Sequence, residues 1–142
     1  LIAIVFNVLN ATINAAWIGH VGSYSADWLY QPPFLIGATV FMVGMMINLH
    51  SDTVLIGLRK GQDGGYQIPR GGLYKWVASP NYLGEILEWV GWAIATWSFA
   101  GLAFALYTVA NLGPRALANL RWYRENFDDY PPKRKALIPF ML

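Results

Sequence analysis

The stretch Gly65–Trp92, GYQIPRGGLYKWVASPNYLGEILEWVGW, decides how the chain is read. It begins as a polar loop rich in Gly and Pro and passes without a linker into an apolar run that still holds Asn81, Glu85 and Glu88. Ser79 as N-cap, with Pro80 at the first helical position, predicts a helix start there. At about 100° per residue, Asn81, Glu85, Glu88, Trp89 and Trp92 then share one face. Two readings stay open for that face. It is a hydrogen-bonded seam between helices, or it is a site, because ionisable groups within a bilayer face the protein interior and commonly mark function.

Composition sets the solvent. The chain has 142 residues, 56% of them hydrophobic and 13% charged, against about 25% charged in a soluble domain. Seven Trp, eight Tyr and seven Phe add to nearly continuous apolar runs, the composition of a membrane protein. The absence of Cys excludes disulfides, thiolate nucleophiles and cysteine metal sites. His20 and His50 are too few and too far apart for an all-histidine centre, so no metal is expected. The net charge is +2, and Lys and Arg interleave with acids in short loops, which argues against a nucleic-acid partner. The first residue is Leu1 rather than Met, so the natural N-terminus is expected upstream.

Working outward, Leu1 to Ile18 is long and apolar enough to span a hydrocarbon core. Its Asn7, Asn10 and Asn14 recur on one face, a pattern that favours interhelical hydrogen bonding. Gly19 to Pro33 reads as a loop without Lys or Arg, and Phe34 to His50 as a second span with Gly37, Ala38 and Gly44 suited to close packing. If that helix continues past the membrane surface, Asn48, Asp52 and Arg59 share a face. Alone, that stripe is equally the solvated end of a helix.

The loop from Lys60 to Ser79 carries Lys60, Arg70 and Lys75, and the tail from Arg115 to Lys135 is also basic. The positive-inside rule puts both in the cytoplasm and the loop 19–33 outside. An even number of crossings must then fit between Asn81 and Gly113. Two short helices are predicted, about 81–97 and 101–113, turning near Ser98 to Gly101. The second is expected to run on through Tyr123, with Gly113 and Pro114 as a place for a kink. The expected fold is an all-α polytopic integral membrane protein with about four transmembrane helices in this chain.

Arg115, Asn119 and Tyr123 form a third polar stripe at a cytoplasmic helix end. Three such stripes on one side predict a site for a large, polar, anionic ligand. The loop GQDGGYQIPRGG would bring backbone amides and Arg70 to phosphates, or it is a turn-rich connector. It is neither a Rossmann fingerprint nor a P-loop, since both the G-x-G-x-x-G spacing and the Gly-Lys-Ser/Thr ending are missing.

The runs NLHSDTVLIGLRK and GYQIPRGGLYKWVASPNYLGEILEWVGWAIATWS, with the ending FDDYPPKRKALIPFML, resemble the C-terminal part of the steroid 5-alpha-reductase family. The likeness covers roughly Asp27 to Leu142. The pairing of Asn-x-His-Ser-Asp with Ile-Pro-Arg-Gly-Gly is specific, whereas Pro-Asn-Tyr-Leu-Gly-Glu is shared with membrane sterol reductases and isoprenylcysteine-type methyltransferases. The resemblance implies a single membrane domain over residues 1–142, part of a seven-helix bundle whose N-terminal helices lie upstream. It implies a multi-pass protein of the endoplasmic reticulum in a eukaryote or of the inner membrane in a bacterium, with its cofactor site facing the cytoplasm.

By that resemblance the enzyme uses NADPH to reduce the 4,5 double bond of 3-oxo-4-ene steroids. Asn48, Asp52, Arg59, Tyr66, Arg70, Asn81, Arg115, Asn119 and Tyr123 would line or reach the dinucleotide pocket. Glu85 and Trp89 would approach the nicotinamide and the steroid, with Glu85 in a supporting catalytic role. Gln67 stands where the family commonly has Arg or Lys, and Asn119 where it has His, which removes possible cationic contacts to a 2′-phosphate. The acid pair that polarises the 3-oxo group is expected upstream of Leu1. The implied mechanism is hydride delivery to the steroid 5-position, an enolate stabilised at the 3-oxygen, and protonation at the 4-position.

Other classes fit parts of the pattern. A sterol, polyprenol or enoyl thioester would suit an apolar cavity as well as a steroid. A methyltransferase would use the Asn81–Trp89 face for S-adenosylmethionine, which carries no phosphate and would leave three Arg residues without a role. A membrane scaffold would turn every stripe into a packing seam.

Overall fold

A computed structural model describes residues 2–60 and 66–141. Among them the chain forms four α-helices: α1 (Ile2–Ala16), α2 (Pro32–Lys60), α3 (Pro80–Thr96) and α4 (Phe99–Asn126). A π-helical turn, Trp17–Val21, prolongs α1, and short 3-10 turns at Ala26–Tyr30 and Gly72–Lys75 lie in the two long connections. The architecture is all-helical; the one β-type contact among the described residues is an isolated parallel bridge between Val77 and Lys135.

The helix ends follow from local sequence. Pro32 opens α2 and Pro80 opens α3, where a missing N–H costs nothing. Ser79 stands at the N-cap of α3 as predicted, yet its hydroxyl makes no cap bond and instead accepts from Asn119 Nδ2 at 3.1 Å. Trp97, in the left-handed region at φ 45°, ends α3. Tyr24 donates its hydroxyl to the Thr96 carbonyl and Trp28 donates Nε1 to that of Ala95 at 3.0 Å, satisfying two end carbonyls from the loop 19–33. Ser98 caps α4 by accepting from the Gly101 amide at 2.9 Å. That helix continues through Gly113 and Pro114 to Asn126, so the expected kink does not interrupt it.

Antiparallel α2 and α3 form the tightest pair, and α4 packs on another side of α3. Gly37 and Gly44 of α2 meet Gly91 and Gly84 of α3 along a seam without side chains. A Cβ on Gly44 would lie 2.6 Å from both the Gly84 carbonyl oxygen and the Glu88 amide nitrogen. Small residues here let two backbones touch. Helix α1 joins through Asn14, 7% exposed, whose Oδ1 accepts from Trp92 Nε1 at 2.9 Å while its amide donates to Asn10. Of the three asparagines on this face, Asn14 makes the interhelical bond that their spacing predicts, and Asn10 supports it from within α1.

Two helical stretches, Ile4–Val21 and Pro32–Leu58, are long and apolar enough to cross a membrane, with mean hydropathies of 1.2 and 1.7. Helix α3 has only 17 residues, and the second half of α4 carries Arg115, Arg121 and Arg124. Helix α2, at 29 residues, is roughly 44 Å long at about 1.5 Å per residue. It overshoots a hydrocarbon core of about 30 Å, which carries Asn48 and Asp52 towards the polar end. There the C-terminal segment closes the fold. Ala78 and Ser79 donate their amides to the carbonyls of Lys135 and Ala136 at 2.8 and 3.1 Å, and Lys135 donates back to Trp76 at 2.9 Å. Ile68, Ala78, Ile86, Ala116, Leu120 and Leu137 form the core beneath.

Candidate functional site

Helical periodicity places three polar stripes side by side at this end of the bundle. Asn48 donates Nδ2 to the Asn81 carbonyl at 3.2 Å, and Asn81 Nδ2 reaches Asp52 Oδ1 at 3.4 Å. The close approach of α2 and α3 at the Gly44–Gly84 contact is what lets these short side chains bridge the two helices. One turn further along α3, Glu85 faces an open cleft of about 500 Å³ between α1, α3 and α4. Its polar wall is Asn7, Glu85, Tyr107, Asn111 and Arg115; Phe6, Phe104 and Leu112 form the apolar wall. Trp89 stands behind that wall, its ring centroid 4.2 Å from that of Phe104.

The remaining predicted residues divide. Tyr123 packs flat on Tyr130, with centroids 5.2 Å apart and planes 9° from parallel. Asn119 spends one amide hydrogen on Ser79. Arg70 pairs with Asp129 at 3.0 Å, both about two-thirds exposed, and Tyr66 lies outside against Trp122 with centroids 5.1 Å apart. Both therefore sit at the rim rather than among the Asn48–Asn81 contacts. The side chain of Arg59, near the end of α2, and the first five residues of the loop GQDGGYQIPRGG, residues 61–65, lie outside the described residues.

A second group was not anticipated. Arg134, 4% exposed, holds its guanidinium over the Tyr130 ring, 5.1 Å from the centroid. Because the cation lies over the ring face, Arg134 Nε and Nη1 and the Tyr130 hydroxyl are buried without a hydrogen-bond partner. Burial raises the Tyr130 and Tyr123 hydroxyls above their ordinary range, with Arg134 opposing both shifts. Tyr74, 1% exposed beside α2, is raised by burial and then by Tyr123 and Asp52. A tyrosine layer that stays neutral thus lies next to the polar stripes. No periodic signal marks Arg134, which sits in an irregular tail. Asn111 had one: it extends the Arg115, Asn119, Tyr123 stripe by one more turn.

The donor set suits an elongated ligand carrying phosphates and an amide. Among the described residues Arg115 lines the cleft and makes no ion pair. Amide side chains at Asn48, Asn81 and Asn111 add neutral donors and acceptors between charged and apolar ends. A dinucleotide cofactor fits this chemistry. Among the described residues no cluster of three His, Asp or Glu stands where it would hold a metal ion.

The sequence matches the family described as 3-oxo-5-alpha-steroid 4-dehydrogenase over residues 1–142. It is 54% identical over 140 residues to a steroid 5-alpha-reductase of Solanum lycopersicum, covering 98% of this chain and 54% of that protein. It is 47% identical over 141 residues to 3-oxo-5-alpha-steroid 4-dehydrogenase 1 of Mus musculus, covering 99% of this chain and 55% of the relative. With the Homo sapiens protein of the same name the identity is 46% over 139 residues, 98% of this chain and 54% of the relative. The chain spans about half the length of these relatives. With the match running from its first residue to its last, the chain belongs to the 3-oxo-5-alpha-steroid 4-dehydrogenase family, a family of steroid-reducing oxidoreductases.

Proposed function

We propose that this chain is the cofactor-holding part of a membrane enzyme that reduces the 4,5 double bond of a 3-oxo-4-ene steroid with NADPH. The observation that carries the reading is that Glu85 and Arg115, which makes no ion pair among the described residues, line one cleft beside the Asn48–Asn81–Asp52 bridge. When bound, NADPH supplies the hydride. Arg115, with Asn48 and Asn81, holds phosphate and ribose groups; Arg59, Asn119 and Tyr123 complete the set, with Tyr66 and Arg70 at its rim. Glu85 orients the nicotinamide end or shares a proton with an acid contributed from outside this chain. Phe6, Phe104 and Leu112, backed by Trp89, keep water from the reacting double bond.

The proposal includes four membrane-crossing helices within a single membrane domain over residues 1–142, itself part of a seven-helix bundle. The Asn81 end faces the cytoplasm, in the endoplasmic reticulum or a bacterial inner membrane. Helices α3 and α4 cross as a short pair shielded by their neighbours. Equilibrium binding of NADPH and of S-adenosylmethionine to the detergent-purified protein tests the function. Saturable NADPH binding without S-adenosylmethionine binding is expected; the reverse result replaces the reductase with a methyltransferase, and binding of neither leaves a scaffold.

A further inference from the structure

Helix α2 has a second face that the proposed reaction does not use. Counting about 100° per residue, His50 points some 160° away from Asn48, to the side where Met42, Val43 and Met46 are all exposed. Where this apolar face reaches His50, the turn Gly72–Lys75 folds over it and leaves a notch of about 400 Å³. Met46, Ile47 and Leu73 floor it, Trp76 flanks it, and its polar residues are His50, Lys75 and Ser51, whose hydroxyl is bonded to the Ile47 carbonyl. No lining residue is acidic, and none lines the cleft of Glu85 and Arg115.

The notch is held by its backbone. Gly71 and Gly72 take φ of 101° and 48°, which glycine tolerates far better than other residues. They bring the turn so near His50 that a Cβ on Gly72 would lie 2.5 Å from its Nε2. Tyr74, buried from the same turn, reaches the Ser51 carbonyl at 3.5 Å and anchors it on the other side. Trp76 and Phe140, 45% and 79% exposed with centroids 6.5 Å apart, stand beside the notch as aromatic residues do at the level of lipid headgroups.

A cation and an imidazole above an apolar floor, on a face of α2 left exposed in this chain, call for a ligand with a negative head and a hydrocarbon tail. A soluble anion would leave the floor uncovered, and a neutral sterol would leave Lys75 unmatched. We infer that the notch between His50 and Lys75 binds the phosphate headgroup of an anionic glycerophospholipid, with an acyl chain lying along Met46 and Met42. Anionic lipids are concentrated in the cytoplasmic leaflet, the side on which Lys75 is proposed to lie. The inference rests on the membrane reading given above, and on no part of the reductase chemistry.

Native mass spectrometry of the detergent-purified protein, titrated with dioleoylphosphatidylglycerol or dioleoylphosphatidylcholine, tests it. One phosphatidylglycerol should be retained in preference, and Lys75→Glu, which removes a positive charge and adds a negative one, should reduce its retention at least about fivefold, the scale of losing one basic residue at an anionic surface. Lys133→Glu, an equal charge change on another exposed lysine, should leave retention unchanged. Equal retention of the two lipids, no effect of Lys75→Glu, or an equal loss in both variants overturns the proposal. A protein that stays soluble and monodisperse after detergent removal ends the membrane reading and this inference together. One that needs detergent and binds NADPH but shows no lipid preference ends this inference alone.

Discussion

Gly44 and Gly84 touch backbone to backbone: a Cβ on Gly84 would lie 2.7 Å from the Gly44 carbonyl oxygen and 2.6 Å from the Asn48 amide nitrogen. This contact sets the distance across which Asn48 reaches the Asn81 carbonyl. Packing of the seam and geometry of the site are therefore one feature. Gly84→Ala must push α2 and α3 apart, and overpacking of this kind costs about 1–3 kcal/mol. A clear fall in melting temperature in detergent is expected. Gly57→Ala, where a Cβ meets nothing within 4 Å, should leave the melting temperature unchanged or raise it.

Arg115 separates ligand binding from folding. It lines the cleft without an ion pair among the described residues, so its removal strands no buried partner. Arg115→Ala should weaken NADPH binding by about 1.5–3 kcal/mol, the scale of a hydrogen bond to a charged group, with the melting temperature held. Arg70→Ala should cost less, because Arg70 already pairs with Asp129 at an exposed site. Titration calorimetry of both variants checks the order, and undiminished affinity in Arg115→Ala removes this residue from the cofactor site.

Tyr74 predicts a pH effect. Burial raises its hydroxyl well above the ordinary value, which is about 10 for an unfolded chain. Below that value both states hold the proton and stability is fully present. Above it the unfolded chain releases the proton while the folded chain keeps it, so stability falls as pH rises. Tyr74→Phe should cost no more than about 1 kcal/mol at neutral pH, given a 3.5 Å bond to Ser51. It should lose less stability than the parent between neutral and strongly alkaline pH. Tyr123 and Tyr130, raised in the same direction, leave some alkaline loss in the variant.

Much of this arrangement was legible in the sequence because helical periodicity carries it. The starts of α3 and α4 fell within three residues of prediction, and Asn81, Glu85 and Arg115 lie on the faces their spacing gave them. Periodicity says which face a residue takes and not which partner meets it. Asn119 thus turned out bonded to Ser79, and Arg70 paired with Asp129 at the rim. Arg134 and Tyr130 were invisible for a different reason: an irregular tail has no period. Their burial depends on backbone bonds between Trp76–Ser79 and Lys135–Ala136, far apart in sequence.

The two ends of the bundle differ in charge, and this fixes an expected orientation. Tyr24 and Trp28 bring the loop 19–33 to the C-terminal end of α3, whereas Lys135 binds beside Trp76 at the opposite end. In this Cys-free chain, Ser25→Cys should react with a membrane-impermeant maleimide in sealed cells, or in sealed microsomes from the lumenal side. Lys133→Cys should react only from the cytoplasmic side. The opposite pattern inverts the topology and moves the proposed cofactor site out of reach of cytoplasmic NADPH.

Glu85 distinguishes a packing seam from a reacting centre. Its carboxylate lies on α3 little more than one turn from Pro80, where the helix N-terminus favours negative charge. It faces the same cleft as Arg115 and the apolar wall of Phe104 and Leu112. If Glu85 only packs, Gln supplies the same shape and hydrogen-bonding capacity, and activity should barely change. If its charge or proton is needed as charge develops on the substrate, the interaction is strongest in the transition state, and its loss lowers the turnover rate. Glu85→Gln is therefore expected to bind NADPH normally but to lose most steroid-dependent NADPH oxidation, with kcat falling more than KM rises. Steady-state kinetics beside a binding isotherm read both quantities. Near-normal turnover would return Glu85 to the seam, and steroid-independent methyl transfer would replace the reductase reading.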